Sequence, residues 1–176
     1  MHRILLLDDE QNVLYALQRS LRQVARDMEL KIELFTSPEA AVQRLSEAAF
    51  DFVVADYHMP TLNGVDFLKM TKELQPDAVR LMLSASADFN TIMGAINEAE
   101  VFRYIAKPWD PEELKETIAE AGKRREQMLE DRRLADELRV QRGEMSPQEQ
   151  EAKRLEESDP GITKVKWGPD GSVLLD

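Results

Sequence analysis

Short apolar runs, each closed by a polar residue, punctuate the first two thirds of the chain. Ile4-Leu5-Leu6-Leu7 runs into Asp8 and Asp9, Phe52-Val53-Val54-Ala55 into Asp56, Val79-Arg80-Leu81-Met82-Leu83 into Ser84, and Phe102-Arg103-Tyr104-Ile105-Ala106 into Lys107. Runs this short and this apolar predict strands buried on both faces, near 3–7, 31–35, 51–55, 79–83 and 102–105. Between them the apolar positions take helical spacing. Val13, Leu14, Leu17, Leu21 and Val24 mark one helix, and Ala40, Ala41, Leu45 and Ala48 a second, capped by Ser37 with Pro38 in its first turn. Val65, Phe67, Leu68, Met70 and Leu74 mark a third, and Phe89, Ile92, Met93 and Ile96 a fourth. Leu114, Ile118 and Ala121 begin a fifth, opened by Asp110-Pro111-Glu112-Glu113, an N-cap followed by a proline at the first helical position. The alternation predicts an α/β fold: a doubly wound, five-stranded parallel sheet with helices on both faces, over residues 1–122.

Beyond Gly122 the pattern thins to Arg, Glu, Gln and Asp with sparse apolar residues, which predicts a charged helical extension over 123–158. Leu114, Ala121, Met128 and Ala135 recur every seven residues, whereas the companion seam holds Ile118, then Arg125 and Arg132. A half-apolar heptad leaves two readings open, a weak coiled coil or a solvated charged helix. Gly143 interrupts the pattern, and Ser146-Pro147-Gln148-Glu149 restarts a short helix with a capping box. In the last segment, 159–176, Ile162-Thr163-Lys164-Val165-Lys166-Trp167 and Ser172-Val173-Leu174-Leu175 flank the turn sequence Gly168-Pro169-Asp170-Gly171, which predicts a terminal β-hairpin.

Composition narrows the chemistry. The chain has 176 residues, room for one domain and an appendage, and no cysteine, so thiol nucleophiles and thiolate metal sites are excluded. No stretch approaches the roughly 20 apolar residues of a membrane span, and the amino terminus does not read as a signal peptide, so a cytoplasmic protein is expected. A net charge of -11 disfavours a phosphate-backbone footprint, so direct binding of nucleic acid is not expected. The only histidines are His2 and His58, which argues against a metal-dependent hydrolase site of the histidine-rich kind.

In parallel sheets the ligand site lies at the carboxyl ends of the strands. Asp8, Asp9, Asp56, Ser84 and Lys107 all follow their strands directly, so the fold gathers them on one edge. Taken singly, an Asp-Asp pair is usually a turn or cap, and a lysine before proline a surface residue; joint placement is what points to a site. Two adjacent carboxylates facing a third would repel unless a hard cation sat between them. Oxygen-only ligation suits magnesium. Asp9 and Asp56 are the expected direct ligands, Asp8 acts through water, and the backbone carbonyl of His58 completes the protein's share. Asp56 is also placed as a nucleophile toward phosphorus. Lys107 would then pair with the phosphoryl oxygens, and Ser84 would donate a hydrogen bond to one of them.

Leu7-Asp8-Asp9-Glu10, Asp56-Tyr57-His58-Met59-Pro60 followed by Gly64, Leu83-Ser84-Ala85 and Tyr104-Ile105-Ala106-Lys107-Pro108 together resemble the response-regulator receiver domain of two-component signalling. The resemblance implies a flavodoxin-like strand order of 2-1-3-4-5 and a cis bond between Lys107 and Pro108. It implies that Asp56 takes a phosphoryl group from the phosphohistidine of a sensor kinase or phosphotransfer protein, and that the domain catalyses this transfer and its own slow dephosphorylation. By the same resemblance Ser84 and Tyr104 form the switch pair that remodels the face of the fourth helix, fifth strand and fifth helix. His58 falls two residues past the acceptor, where it bears on water access. Trp109, expected beside the switch face, resembles receivers attached to cyclic-di-nucleotide phosphodiesterases or to hydrogenase-type transcriptional regulators. With no separate enzymatic output domain expected, the output is a switched protein contact or homodimerisation through the long helix. A phosphorelay intermediate or phosphate sink is the first alternative, and the amino-terminal part of a longer effector enzyme the second.

Overall fold

The structure, a computed structural model, describes residues 1–85 and 89–162, apart from the side chains of Phe89 and Thr91. Five strands, β1 (His2–Leu7), β2 (Leu30–Phe35), β3 (Phe52–Asp56), β4 (Val79–Ser84) and β5 (Arg103–Ala106), form one parallel sheet in the order β2-β1-β3-β4-β5. Helices α1 (Gln11–Asp27), α2 (Pro38–Leu45), α3 (Gly64–Leu74), α4 (Phe89–Ala99) and α5 (Pro111–Gln141) alternate with the strands, and α6 (Pro147–Ser158) follows. This is the expected flavodoxin-like arrangement. The hairpin expected over 159–176 lies, from residue 163 onward, outside the described residues.

Alternation along the strands divides the core into two layers. Ile4, Leu6, Phe52, Val54, Leu81 and Leu83 face α1 and α5, meeting Leu14, Leu17, Leu21, Leu114 and Ile118. Leu5, Leu7, Val53, Ala55 and Met82 face the other way, onto Ala41 and Leu45 of α2, Phe67 and Leu68 of α3, and Ile92 and Ala95 of α4. The central strands β3 and β4 are buried along their whole length, as their unbroken apolar runs require. Each fully buried Leu, Ile or Phe contributes about 1.5–3 kcal/mol, so these layers hold the strand ends in fixed register. On α3 the buried positions are Gly64, Phe67, Leu68 and Thr71, while Met70 and Leu74 turn outward. An eleven-residue helix on one layer buries a single stripe, and these two residues fall beside it.

Helix caps fall where the sequence puts them. Ser37 accepts from the Ala40 N–H, Asp110 from the Glu112 and Glu113 N–H groups, and Ser146 and Glu149 close a reciprocal capping box. Helix α5 runs unbroken for 31 residues, well past the sheet. Of its apolar seven-residue series, Leu114 and Ala121 are buried, Met128 is half-buried and Ala135 is exposed. The companion series turns inward. Ile118 lies in the core, Arg125 Nη1 reaches Asp51 Oδ1 at 2.9 Å, and Arg132 bridges Asp77 and Glu157. Those arginines tie the helix back to its own domain and to α6, so the charged stretch is not wholly solvated. Lys153 of α6 completes the contact, 2.9 Å from both carboxylate oxygens of the buried Asp136.

Candidate functional site

At the carboxyl edge, β1 ends in Leu7 and the chain turns through Asp8, Asp9 and Glu10 into α1. Asp8 is fully buried: its Oδ1 accepts the Glu10 N–H at 2.9 Å and its Oδ2 the Lys107 ammonium at 2.8 Å. Asp56 closes β3 with 5% of its surface exposed, and its Oδ1 lies 3.2 Å from Lys107 Nζ. Asp9 is exposed, yet carboxylate oxygens of Asp8, Asp9 and Asp56 lie within 4.8 Å of one another. Two of these three carboxylates share one ammonium. Burial first, and then the Asp8 charge, push the Asp56 carboxyl above the usual carboxylate range, against the pull of Lys107. Burial by itself would lower the Lys107 ammonium, but the Asp8 and Asp56 carboxylates outweigh it and hold Lys107 above its ordinary value. An excess of hard oxygen donors with unbalanced negative charge is the donor set a magnesium ion takes.

The surrounding backbone is built for this crowding. After Asp56 the chain folds back, with Gly64 donating its N–H to the Tyr57 carbonyl at 3.0 Å. A Cβ at Gly64 would sit 2.2 Å from the Asp56 carbonyl oxygen, so only glycine lets α3 begin this close to the acceptor strand. Opposite, the Lys107 N–H donates to the Ser84 carbonyl at 2.9 Å, which sets the lysine beside the end of β4, and the Lys107-Pro108 bond is cis.

Five of the residues singled out in the sequence therefore meet on one edge: Asp8, Asp9, Asp56, Ser84 and Lys107. Ser84 is buried and pairs with Ala106 across the ladder. Tyr104, opposite Met82 on β5, stands outward with 39% of its surface exposed. His58 is exposed, its ring edge-on to Tyr57 with centroids 4.6 Å apart.

Trp109, two residues past Lys107, packs on the core layer beneath α1 and α5, and its indole N–H donates to Ser20 Oγ of α1 at 3.0 Å. An indole needs apolar cover and one acceptor, and α1 offers both. Ser20 itself is invisible to sequence reasoning, because a serine in mid-helix carries no pattern of its own.

Comparison with known proteins agrees with this geometry. The family model of the response regulator receiver domain matches residues 4–119. The hydrogenase transcriptional regulatory protein HoxA of Cupriavidus necator is 35% identical over 118 residues, 67% of this chain and 23% of that protein. The DNA-binding transcriptional regulator NtrC of Rhizobium meliloti is 34% identical over 134 residues, 73% of this chain and 26% of that protein. The chain thus spans about a quarter of the length of these curated relatives. Among solved structures, the receiver domain of an HD domain-containing protein from Pseudomonas fluorescens superposes with a TM-score of 0.66 at 28% identity, covering 72% of this chain and 98% of that one. Receiver domains bind magnesium at an acidic pocket, which here is the Asp8, Asp9 and Asp56 cluster. Among the described residues, no helix is long and apolar enough to cross a membrane. With its strand order, its acidic edge and a family match over most of its length, this chain belongs to the response regulator receiver-domain family, whose members accept a phosphoryl group on an aspartate in two-component signalling.

Proposed function

We propose that Asp56 is the phosphoacceptor and that the phosphorylated domain switches a protein contact. The observation that carries this is the placement of Lys107 Nζ, 3.2 Å from the Asp56 carboxylate and 2.8 Å from Asp8, at the mouth of an otherwise anionic pocket. An oxygen of Asp56 attacks the phosphorus of a phosphohistidine on a sensor kinase or phosphotransfer protein. The P–N bond breaks, the imidazole leaves with the electron pair, and an acyl phosphate remains. Lys107 follows the phosphoryl oxygens as charge gathers on them, and Ser84 donates a hydrogen bond to one of them. Asp9, Asp56 and the backbone carbonyl of His58 would hold magnesium directly, with Asp8 acting through water; the ion would supply charge neutralisation at the transferring group. Attack of water later returns the carboxylate and inorganic phosphate, and His58, beside the acceptor, bears on that step.

Output passes through the face next to the site. Ser84 moving toward the phosphoryl group lets Tyr104, now outward, follow it, which changes the surface shared by α4, β5 and α5. Leu134 and Leu138, 46% and 49% exposed one turn apart on α5, support a contact with a second copy or another protein along that helix. The proposed setting is the cytoplasm, where such kinases present their phosphohistidine. Intact-protein mass measurement after incubation with acetyl phosphate and magnesium tests the assignment: one phosphoryl adduct is expected on the native chain and none on Asp56→Asn. An adduct of equal yield on Asp56→Asn would rule Asp56 out.

A further inference from the structure

We propose that Trp109 and Ser20 form a strut that positions Lys107 against the acidic pair, so that both are positioning residues for the phosphoryl group. The inference rests on the reading that Asp56 accepts phosphate with Lys107 as its cationic partner. Lys107 is held at one side by its N–H bond to the Ser84 carbonyl. On the other side, two residues on, the Trp109 ring packs on the core layer and its N–H ends on Ser20 Oγ at 3.0 Å. Ser20 belongs to α1, the helix that leads directly out of the Asp8-Asp9 loop. The strut therefore joins the loop carrying the lysine to the helix that follows the loop carrying two of the three carboxylates, across 89 residues of sequence.

A lysine side chain has four rotatable carbons and no fixed direction of its own. Its ammonium keeps its place, 2.8 Å from Asp8 and 3.2 Å from Asp56, only if its backbone is fixed relative to both. The Ser84 bond fixes Lys107 to β4, and Trp109 fixes it to α1. Loss of the indole bond frees the second anchor while leaving the carboxylates untouched. Lys107 contacts the phosphoryl group, whereas the carboxylates hold the metal, so the strut acts on one ligand and not the other.

Titration calorimetry on the full chain separates these effects, using magnesium alone and then beryllofluoride, a phosphoryl mimic, at saturating magnesium. Ser20→Ala is expected to weaken beryllofluoride binding by about three- to tenfold, the range of one lost hydrogen bond, with magnesium affinity within about twofold of native. Trp109→Phe, which keeps most of the apolar packing, is expected to behave alike, and Ser20→Thr, which keeps the hydroxyl, to restore native binding. Native beryllofluoride affinity in Ser20→Ala would overturn the strut. A parallel fall in magnesium affinity would also overturn it, by showing a general loosening of the domain. Failure of the native chain to bind beryllofluoride with magnesium present would instead overturn the underlying reading of Asp56.

Discussion

The two edges of the sheet carry similar charges and use them in opposite ways. At the carboxyl edge Asp8, Asp9 and Asp56 crowd together with Lys107 as the cation paired to two of them, and the surplus negative charge waits for a ligand. At the amino edge Asp51, Asp77, Asp136 and Glu157 each have a cationic partner. Asp51 accepts the Arg3 N–H at 2.8 Å, His2 Nδ1 at 2.9 Å and Arg125 Nη1 at 2.9 Å; Arg132 bridges Asp77 and Glu157; Lys153 holds Asp136. Balanced charge holds elements in place, whereas crowded charge stores repulsion that a cation can relieve. The same residue types thus make a joint at one edge and a reaction site at the other.

The sharpest way to break the contrast is to neutralise an acid on each side. Asp56→Asn should abolish phosphorylation, yet raise the stability of the metal-free protein by about 1 kcal/mol, because a buried charge facing Asp8 disappears. Urea titration of the metal-free protein reads this; a lower midpoint would mean that Asp56 is held by more than Lys107. Asp51→Ala should do the reverse. It strands the Arg3 N–H and the Arg125 guanidinium at a site where Asp51 is 8% exposed, and is expected to lose about 2–3 kcal/mol while folded molecules still accept phosphate. Loss of phosphorylation at full stability would collapse the distinction between the edges.

A smaller effect is expected from Arg132→Met, which keeps the aliphatic stem but releases Asp77 and Glu157. Global stability should fall by about 1 kcal/mol or less, with faster hydrogen exchange confined to α6 and the distal part of α5. Unchanged exchange in α6 would show that Lys153 and Asp136 suffice to dock it. Smallest of all is a pH effect at Glu33, whose carboxyl is held below its usual range first by the hydrogen bonds from Arg44, both at 3.0 Å. A lowered folded value means the stabilisation is present above the unfolded glutamate value and lost as pH falls through the folded one. Native protein should exceed Glu33→Gln by about 0.5 kcal/mol at neutral pH, and the two should converge once the pH has fallen through the lowered folded value.

Particular residues show what could be read early. The apolar runs at Leu5, Val53 and Leu81 are bounded so sharply that strand ends, and with them Asp8, Asp56 and Ser84, were legible without coordinates. Caps at Ser37, Asp110 and Ser146 were equally plain, because a cap depends on neighbours two or three residues away. Arg125 and Arg132 were legible only as interruptions of a heptad. Their partners, Asp51 and Asp77, lie on loops at the far end of the sheet, and for Arg132 and Asp77 the separation is 55 residues.

By itself, then, the sequence determined the period of every main element, the strand ends and the chemistry set along them, since period, capping and residue type act over a few neighbouring positions. Tertiary structure decided which charges would meet. It turned the arginines of α5 onto the amino edge and set the Trp109 indole against Ser20 of α1. It also brought the start of α3 so close to Asp56 that Gly64 has no substitute. Such choices follow from the angles and distances at which whole helices pack on a twisted sheet, and no local pattern in the chain encodes them.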